Sequence, residues 1–324
     1  MNIKEFVENK LIALKFTEKV EDILSSEKDI INYIIKAILS KKFRKFKATP
    51  EYISHIHEVV ENSVKNNLPI KFSFPFGAYK LWRLEETPEV DWAELFTLMY
   101  YARWLKPIAA VYKPGVIFDF CSDEIIVERL NNIPKSDTEI YAKSFDMLLD
   151  FLKKYLPENI KFTVTPIRSL YTPEEFEEDL KDKINKLEEK FGGLPVLGEK
   201  EKRMTELNVR LRAGQDADPF WREKTELLHQ AYYIVNKRRP YNRAPDKIFV
   251  WVTSTKDGRS VSIGTTKTSI AKFWVGVGVL GKKDNSYIEY ILSPSQLEKS
   301  DFLFEPISID GLVGKNFSKI RVLN

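Results

Sequence analysis

The stretch VYKPGVIFDFCSDE, Val111 to Glu124, decides how the fold of this chain is interpreted. Pro114-Gly115 interrupts the chain, and the apolar run Val116 to Cys121 that follows it is typical of a buried strand. A hydroxyl and two acids come directly after this run: Ser122, Asp123 and Glu124. Ligands of open α/β sheets collect at the carboxyl ends of strands, so this end is either the rim of an active site or an ordinary polar exit.

Two further apolar runs, IKFSFPF and IKFTVTP, predict strands on either side of this one along the chain. Helical patterns lie between the strands. Thr87-Pro88 predicts the start of a helix that runs to about Trp104, with threonine as N-cap and proline at the first helical position. Thr172-Pro173-Glu174-Glu175 predicts a capping box at the start of a charged helix. The alternation predicts an α/β fold with a Rossmann-like layer and a mixed sheet.

The pattern changes along the chain and predicts three segments. Residues 1–68 are expected to form an N-terminal helical segment packed on the core, and residues 69–195 the α/β domain. Residues 196–324 are expected to supply a helix and an antiparallel, β-rich C-terminal part. In that part, Lys256-Asp257-Gly258 and the later KKDN each predict a hairpin turn. The alternating glycines of VGVGVLG predict a strand that other backbone approaches closely.

Composition argues against several classes of protein. Of the 324 residues, 43% are hydrophobic and 30% charged, which is an ordinary globular mixture. The net charge of +4 gives no general reason to bind nucleic acid or an anionic membrane. A single cysteine excludes an internal disulfide, and with only three histidines it argues against a soft-metal site. No signal peptide and no run of about 18 apolar residues is present, so a cytoplasmic protein is expected.

Charged residues gather near the ends of the predicted strands. FPFGAYKLWRLEE carries Lys80 and Arg83 after the first strand. Asp91 and Glu94 follow three residues apart, and therefore on one face of a helix. Cations of this kind bind phosphate or carboxylate groups, whereas carboxylates hold an amino group or move protons. A functional rim and a set of solvated loops with structural salt bridges are both compatible with this pattern.

A second cationic run, KKFRKFK, lies between residues 41 and 47. It is interpreted first as a solvated helix end whose cations interact with the helix's own C-terminal carbonyls. The alternative is a contact with phosphate groups or nucleic acid.

The rim residues also carry a resemblance to a known family. Four motifs of the isocyanide synthases have counterparts here. The FP strand with its basic loop resembles FPFGAYK, and the PD-x-x-E helix resembles VDWAE. The Y-x-PG turn resembles YKPG, and the SDG strand end resembles FDFCSDE. That family includes isonitrile synthases of the pyoverdine/paerucumarin cluster and relatives in yeast dityrosine spore-wall synthesis. Tyr141 resembles a downstream tyrosine of the family, and the likeness spans roughly residues 30 to 290.

The C-terminal motifs diverge from the family. Thr253 and Val275 stand where the family has the histidines of its SIHP and PWH motifs, and Glu124 stands for the glycine after Ser-Asp. MTELNVRLRAG supplies Arg210 and Arg212 in place of an arginine-rich helix.

The resemblance implies a definite reaction. An aromatic amino acid, tyrosine or tryptophan, supplies its α-amino nitrogen and ribulose 5-phosphate supplies one carbon, giving an isonitrile or, in the spore-wall branch, an N-formyl amino acid. No metal or organic cofactor is implied. A downstream iron/2-oxoglutarate oxygenase would be a pathway partner, and neither a membrane nor nucleic acid is expected.

The resemblance also assigns roles to the rim residues. The candidates for binding phosphate and carboxylate groups are Lys80, Arg83, Arg210 and Arg212. The candidates for amine binding and proton transfer are Asp91, Glu94, Ser122 and Asp123. The candidates for aromatic walls are Trp82, Trp92 and Trp274.

Two other hypotheses stay open at this point. Loss of both histidines favours a non-catalytic ligand-binding or scaffold homologue, and KKFRKFK favours a nucleic-acid-binding protein. Convergence of the charged rim residues on one pocket would favour the enzyme hypothesis, and their scatter over the surface would reject it; these residues are Lys80, Arg83, Asp91, Glu94 and Asp123.

Overall fold

The computed structural model describes residues 2–15, 26–130, 133–191 and 237–324. Its helices are α1 (Ile3–Lys15), α2 (Glu27–Ile38), α3 (Pro50–Lys65), α4 (Trp92–Val111), α5 (Glu124–Leu130), α6 (Lys135–Lys153), α7 (Pro173–Phe191), α8 (Arg238–Asn242) and α9 (Pro294–Leu297). Its strands are β1 (Arg44–Phe46), β2 (Ile70–Phe76), β3 (Val116–Ser122), β4 (Ile160–Pro166), β5 (Lys247–Trp251), β6 (Val261–Ile263), β7 (Val277–Lys283), β8 (Ser286–Leu292), β9 (Phe302–Pro306) and β10 (Lys319–Leu323). Across these ranges no helix is long and apolar enough to cross a membrane.

The three strands predicted from apolar runs lie side by side in a six-stranded sheet. Its strand order is β1-β6-β5-β2-β3-β4, and only β1 is antiparallel to its neighbour. β2 and β3 pair from Ile70↔Val116 to Phe76↔Ser122 without a break. Their carboxyl ends therefore meet at one edge of the sheet, as an α/β fold requires. The predicted fold class is confirmed.

All three predicted segments contribute strands to this sheet. β1 comes from residues 1–68, β2 to β4 come from 69–195, and β5 and β6 come from 196–324. The interpretation of KKFRKFK as a helix end is wrong, because α2 ends at Ile38 and the run forms a turn followed by β1.

One predicted hairpin is wrong and the other is confirmed. β5 and β6 flank Lys256-Asp257-Gly258 but pair in parallel, with Val250 opposite Val261. The turn residues bend the chain there, while the buried strand β5 pairs with β2 in the sheet interior. The KKDN turn does join an antiparallel pair, β7 and β8. This pair belongs to a second sheet with the order β8-β7-β10-β9.

Helix α4 lies between the two sheets and is buried on nearly every side. On one side it packs against phenylalanines of the main sheet. The ring centres of Phe118 and Tyr101 lie 5.2 Å apart, and so do those of Phe72 and Trp104. On the other side it contacts β7 and β8. A helix covered on both sides needs apolar residues all round, which explains why its sequence shows no clear polar face.

The start of α4 differs from the prediction. The helix begins at Trp92 with Asp91 as its N-cap, and Glu94 completes a capping box. Thr87 does not cap it, because its hydroxyl donates to the carbonyl of Leu81 at 2.6 Å. The predicted capping box at Thr172 and Glu175 is confirmed, since each side chain accepts from the other's backbone N–H.

Gly278 of β7 lies directly on the first turn of α4. A Cβ atom at this position would overlap backbone atoms of Trp92 and Ala93. Its own N–H donates to Asp91 Oδ2 at 3.2 Å, so the close approach also supplies a hydrogen bond. The close backbone approach predicted from VGVGVLG is thus present at this glycine.

We expect Gly278→Ala to destabilise the protein by about 1–3 kcal/mol or more, because backbone atoms must move to accommodate the methyl group. Gly281→Ala in the same strand is the matched control, since a Cβ there meets only the ring of Tyr290, which can shift. Urea unfolding followed by circular dichroism measures both free energies. Equal losses in the two variants would contradict this account of the α4–β7 contact.

Candidate active site

The ends of β2 and β3 are joined at the edge of the main sheet by Asp123. Its backbone N–H donates to the carbonyl of Phe76 at 2.9 Å. Its side chain is buried, and Oδ2 accepts a hydrogen bond of 2.7 Å from Arg238 Nη2. Arg238 is the first residue of α8, and its own side chain is 20% exposed. A charge-assisted pair that reaches solvent therefore lies at the sheet edge where α/β proteins bind ligands.

Lys272 brings a second cation to this edge. Its ammonium lies 5.3 Å from the ring centre of Trp251 and 5.5 Å from that of Trp274. The side chain is open to solvent, yet the protein that surrounds it lowers the pKa of the ammonium through desolvation. Both observations fit a side chain inside a solvent-filled cleft. The charge of Arg238 lowers the same pKa further, and the charge of Asp123 opposes this effect.

Arg238, Lys272, Asp123 and the two tryptophans are hereafter called the sheet-edge cleft. Two cations and one carboxylate leave it with an excess positive charge, and the indole rings give it apolar walls. Such a site suits an anion with an attached apolar or carbohydrate part. Asp123 and Trp274 were predicted from the sequence, whereas Arg238, Lys272 and Trp251 were not. The run Lys237-Arg238-Arg239 was a signal for a basic site, while nothing local distinguishes Lys272.

Ser122 connects strand ends in the structure. Its hydroxyl donates to Glu124 Oε2 at 2.6 Å. Glu124 also accepts from the backbone N–H groups of Ile167 and Arg168, just after β4, at 3.3 and 2.8 Å. Burial raises the pKa of Glu124, and these donors oppose the shift. Glu124 therefore holds the exits of β3 and β4 together.

Lys80, Asp91 and Glu94 converge, as their sequence positions suggested, but in a closed cluster. The Lys80 ammonium donates to Asp91 Oδ1 at 2.7 Å and to both oxygens of Glu94 at 3.0 and 3.1 Å. The side chains of all three are at most 1% exposed. The Tyr141 hydroxyl also donates to Glu94, at 3.1 Å. The three charged groups form ion pairs with one another and are buried from solvent.

The buried cluster retains a proton near neutral pH. Burial raises the pKa of Glu94 to about 8; the charge of Asp91 adds to this shift, and the charge of Lys80 opposes it. Burial by itself would lower the pKa of Lys80, but the two carboxylates outweigh burial and raise it. One ammonium with two ionised carboxylates would bury a net negative charge, so a proton on the carboxylates leaves the cluster neutral.

The closed cluster also supports the cleft. Lys80 donates to the carbonyl of Phe273 at 2.9 Å, and the N–H of Leu81 donates to the carbonyl of Trp274 at 3.0 Å. These bonds fix the backbone immediately after Lys272. The ring of Phe273 packs against Phe76, with 5.8 Å between centres. We infer that Lys80, Asp91 and Glu94 act on the cleft by positioning the segment Lys272–Trp274.

The charged rim residues are thus divided: Lys80, Asp91 and Glu94 form the closed cluster, Asp123 pairs with Arg238, and the remaining candidates lie elsewhere. Arg83 is exposed, and Arg210 and Arg212 lie outside the described residues. Trp92 is buried in the core, and its indole N–H donates to the carbonyl of Lys319, so its role is packing. Trp82 is partly buried against the core. Val275 is partly buried against the core. Thr253 is also partly buried.

The sheet face opposite α4 carries a polar network near the cleft. Asp119 accepts hydrogen bonds of 2.8 Å from Thr163, Thr165 and Tyr241, the last of which lies on α8 with Arg238. Cys121 is buried on β3, and burial raises the pKa of its thiol to about 12, so the thiolate is not available near neutral pH. Over the ranges that the structure covers, no group of three or more His, Cys, Asp or Glu is arranged to hold a metal ion.

The proton held by Glu94 makes stability depend on pH. The pKa of Glu94 is raised from 4.5 to about 8 on folding, so the folded state binds more protons between these values. The stabilisation is therefore fully present below about pH 4.5 and is lost as the pH rises through about 8. We expect Glu94→Gln to flatten this fall, because the amide resembles the protonated acid and does not titrate.

Urea unfolding between pH 5 and pH 9 tests this expectation. The slope contributed by one proton is at most about 1.4 kcal/mol per pH unit. Glu177→Gln, at a half-exposed glutamate, is the control and should leave the wild-type slope unchanged. A slope in Glu94→Gln that equals the wild-type slope would show that Glu94 is ionised across this range.

Comparison with known proteins addresses the fold. No protein-family model matches the chain, and no curated protein matches its sequence. The solved structure of the PvcA protein from Pseudomonas aeruginosa matches with a TM-score of 0.62 and 14% identity, over 91% of this chain and all of the PvcA chain. Tyrosyl-tRNA synthetase from Aeropyrum pernix matches with a TM-score of only 0.31 and 11% identity, over 71% of this chain and 54% of that one, and supports no argument. The chain has the fold of PvcA, and the resemblance predicted from its motifs is confirmed at the level of the fold.

Proposed function

We propose that this chain is an isonitrile synthase-like enzyme, which joins the α-amino nitrogen of an aromatic amino acid to one carbon of ribulose 5-phosphate. The observation that carries the proposal is the sheet-edge cleft, where Lys272 lies over two tryptophan rings and interacts electrostatically with the Asp123–Arg238 pair. The chain shares the fold of PvcA, and the resemblance of its rim motifs to the isonitrile synthases supports the reaction class.

The cations of the cleft suit a sugar phosphate. A phosphate monoester carries about −1.5 to −2 charges near neutral pH. The guanidinium of Arg238 can bind two phosphate or carboxylate oxygens at once, and Lys272 adds a second positive charge. Asp123 neutralises one of these two charges. The empty cleft therefore does not hold two cations without any counter-charge, and it still carries the excess positive charge that attracts an anion.

The carboxylate and the rings suit the amino acid. Asp123 can orient the substrate ammonium and accept a proton from it, which produces the neutral amine that attacks a carbonyl. Trp251 and Trp274 offer flat apolar surfaces for an aromatic side chain. Arg238, once the amino acid is bound, also has a carboxylate partner of the right geometry.

One observation favours a second candidate function, a ligand-binding homologue without turnover. Threonine and valine replace both histidines of the family motifs, at positions 253 and 275, and neither can transfer a proton near neutral pH. Under the enzyme proposal, Asp123 and Lys272 supply the groups that move protons. The two candidates share the ligands and differ in whether a product forms.

We expect the protein to add one carbon to tyrosine or tryptophan when it is incubated with ribulose 5-phosphate, with the product detected by mass spectrometry. Arg238→Gln should raise the KM for the sugar phosphate by about 10–100-fold, the equivalent of one lost charge-assisted hydrogen bond of about 1.5–3 kcal/mol. Arg239→Gln changes the next arginine of α8, whose side chain is 72% exposed, and should stay within about twofold of wild type.

Thermal melting with the same ligands separates the two candidate functions. A rise in melting temperature with ribulose 5-phosphate but no product would favour the ligand-binding homologue. If the ligands neither shift the melting temperature nor yield a product, both the substrates and the proposed reaction are rejected.

A further inference from the structure

Lys272 differs from the other lysines of the site in what its ammonium contacts. Lys80 is surrounded by carboxylates and a carbonyl, whereas the Lys272 ammonium lies over two indole rings. Among the described residues, none accepts a hydrogen bond from it and none forms an ion pair with it. Its side chain is open to solvent, so a ligand in the cleft can reach it. Its nearest charged neighbours include a like charge, Arg238.

The backbone that carries Lys272 is rigidly held. Hydrogen bonds from Lys80 and Leu81 fix the carbonyls of the next two residues, Phe273 and Trp274. The N–H groups of Val275 and Gly276 both donate to the carbonyl of Lys272 itself, at 3.0 Å. The fixed backbone and the rings of Trp251 and Trp274, whose centres lie 5.3 and 5.5 Å from Nζ, together position the nitrogen in the cleft, as a reacting group requires.

These features are those of a lysine that reacts as an amine. A lysine is a nucleophile only as the neutral amine, and enzymes favour that form by desolvating it and by placing another cation beside it. Both causes lower the pKa of Lys272, in the order desolvation and then Arg238. A second cation would also suit a lysine that only binds an anion, whereas desolvation disfavours the charged form that such binding needs.

We propose that Lys272 forms an imine with the carbonyl carbon of a phosphorylated keto sugar, and that the substrate's amino group then takes this carbon from Lys272 by imine exchange. The inference rests on the substrate class of the proposed function. It adds a covalent intermediate on the protein and assigns it to one residue.

The step balances without an oxidant or reductant. The neutral Nζ attacks the ketone carbon, and the carbonyl oxygen receives the proton that the nitrogen loses, giving a carbinolamine. The hydroxyl then leaves as water with a proton, and a C=N bond to Nζ remains. Attack by the amino acid's amine on this carbon and departure of Nζ transfer the C=N bond to the substrate nitrogen and restore Lys272. Asp123, in the same cleft, can accept and return protons during these transfers.

Reductive trapping tests the imine directly. The full-length protein is incubated with ribulose 5-phosphate and sodium cyanoborohydride, and its intact mass is measured, followed by peptide mapping. A reduced imine increases the mass by that of the sugar phosphate less one oxygen atom. We expect one adduct per chain, on Lys272, forming faster as the pH rises through the lowered pKa of this lysine. Arabinitol 5-phosphate, which has the phosphate but no carbonyl, should give no adduct and should slow trapping by competition.

Lys272→Arg is the informative variant, because it preserves the positive charge and cannot form an imine. We expect the variant to keep the rise in melting temperature with ribulose 5-phosphate and to lose the adduct and at least about 100-fold of product formation. Lys282→Arg, at an exposed lysine of β7, is the matched control and should trap as the wild type does.

The outcomes separate this inference from the proposed function. Product formation without any adduct in the wild type, or full activity in Lys272→Arg, would overturn the imine on Lys272 and leave the proposed function standing. An adduct on Lys272 without product would support the imine and count against the isonitrile reaction. Adducts spread over many lysines, as in urea-unfolded protein, would show ordinary glycation and also overturn the inference.

Discussion

The buried ammonium of Lys80 is the interaction on which the rest of the structure depends. It joins the loop after β2, the N-terminus of α4 through Asp91 and Glu94, and the carbonyl of Phe273. A charge buried this deeply is stable only while all its partners are in place, and removing one partner typically costs about 3–5 kcal/mol. The loop, the helix and the segment that carries Lys272 are therefore fixed relative to one another by a single group.

This arrangement separates two tasks that charged residues perform. The inner cluster is closed and keeps its charges in balance, whereas the outer cleft has an excess of positive charge and reaches solvent. Trp274 belongs to the segment that connects them, since its carbonyl binds the N–H of Leu81 and its ring lies beside Lys272. The fold of PvcA is retained at 14% identity, and the groups placed at its sheet edge set the chemistry that this chain can perform.

Sequence could predict those parts that depend on local pattern. IKFSFPF and VIFDFC were recognisable because strands buried in a parallel sheet are apolar along most of their length. IKFTVTP forms the last strand of the sheet and was recognisable from its alternation of apolar and polar residues. The spacing of Asp91 and Glu94 placed them on one face, but a spacing carries no information on burial, so their enclosure around Lys80 was not predictable. Arg238 and Lys272 were missed for a related reason. Arg238 pairs with Asp123 and Lys272 interacts with it electrostatically, and each is separated from it by more than a hundred residues of chain. Sequence periodicity describes neighbouring residues only and cannot predict such interactions.

Glu124 shows how one buried carboxylate can hold neighbouring strand ends together. Its carboxylate accepts from the hydroxyl of Ser122 and from the N–H groups of Ile167 and Arg168, and so ties together two strand ends that glycine would leave unconnected. Replacement of Glu124 by glycine would leave the buried N–H of Ile167 without this acceptor, and such an orphaned group costs about 1–3 kcal/mol. The carboxylate at position 124 thus has a structural task besides any chemical one, and a single mutation that removes it is opposed by the stability of the fold itself.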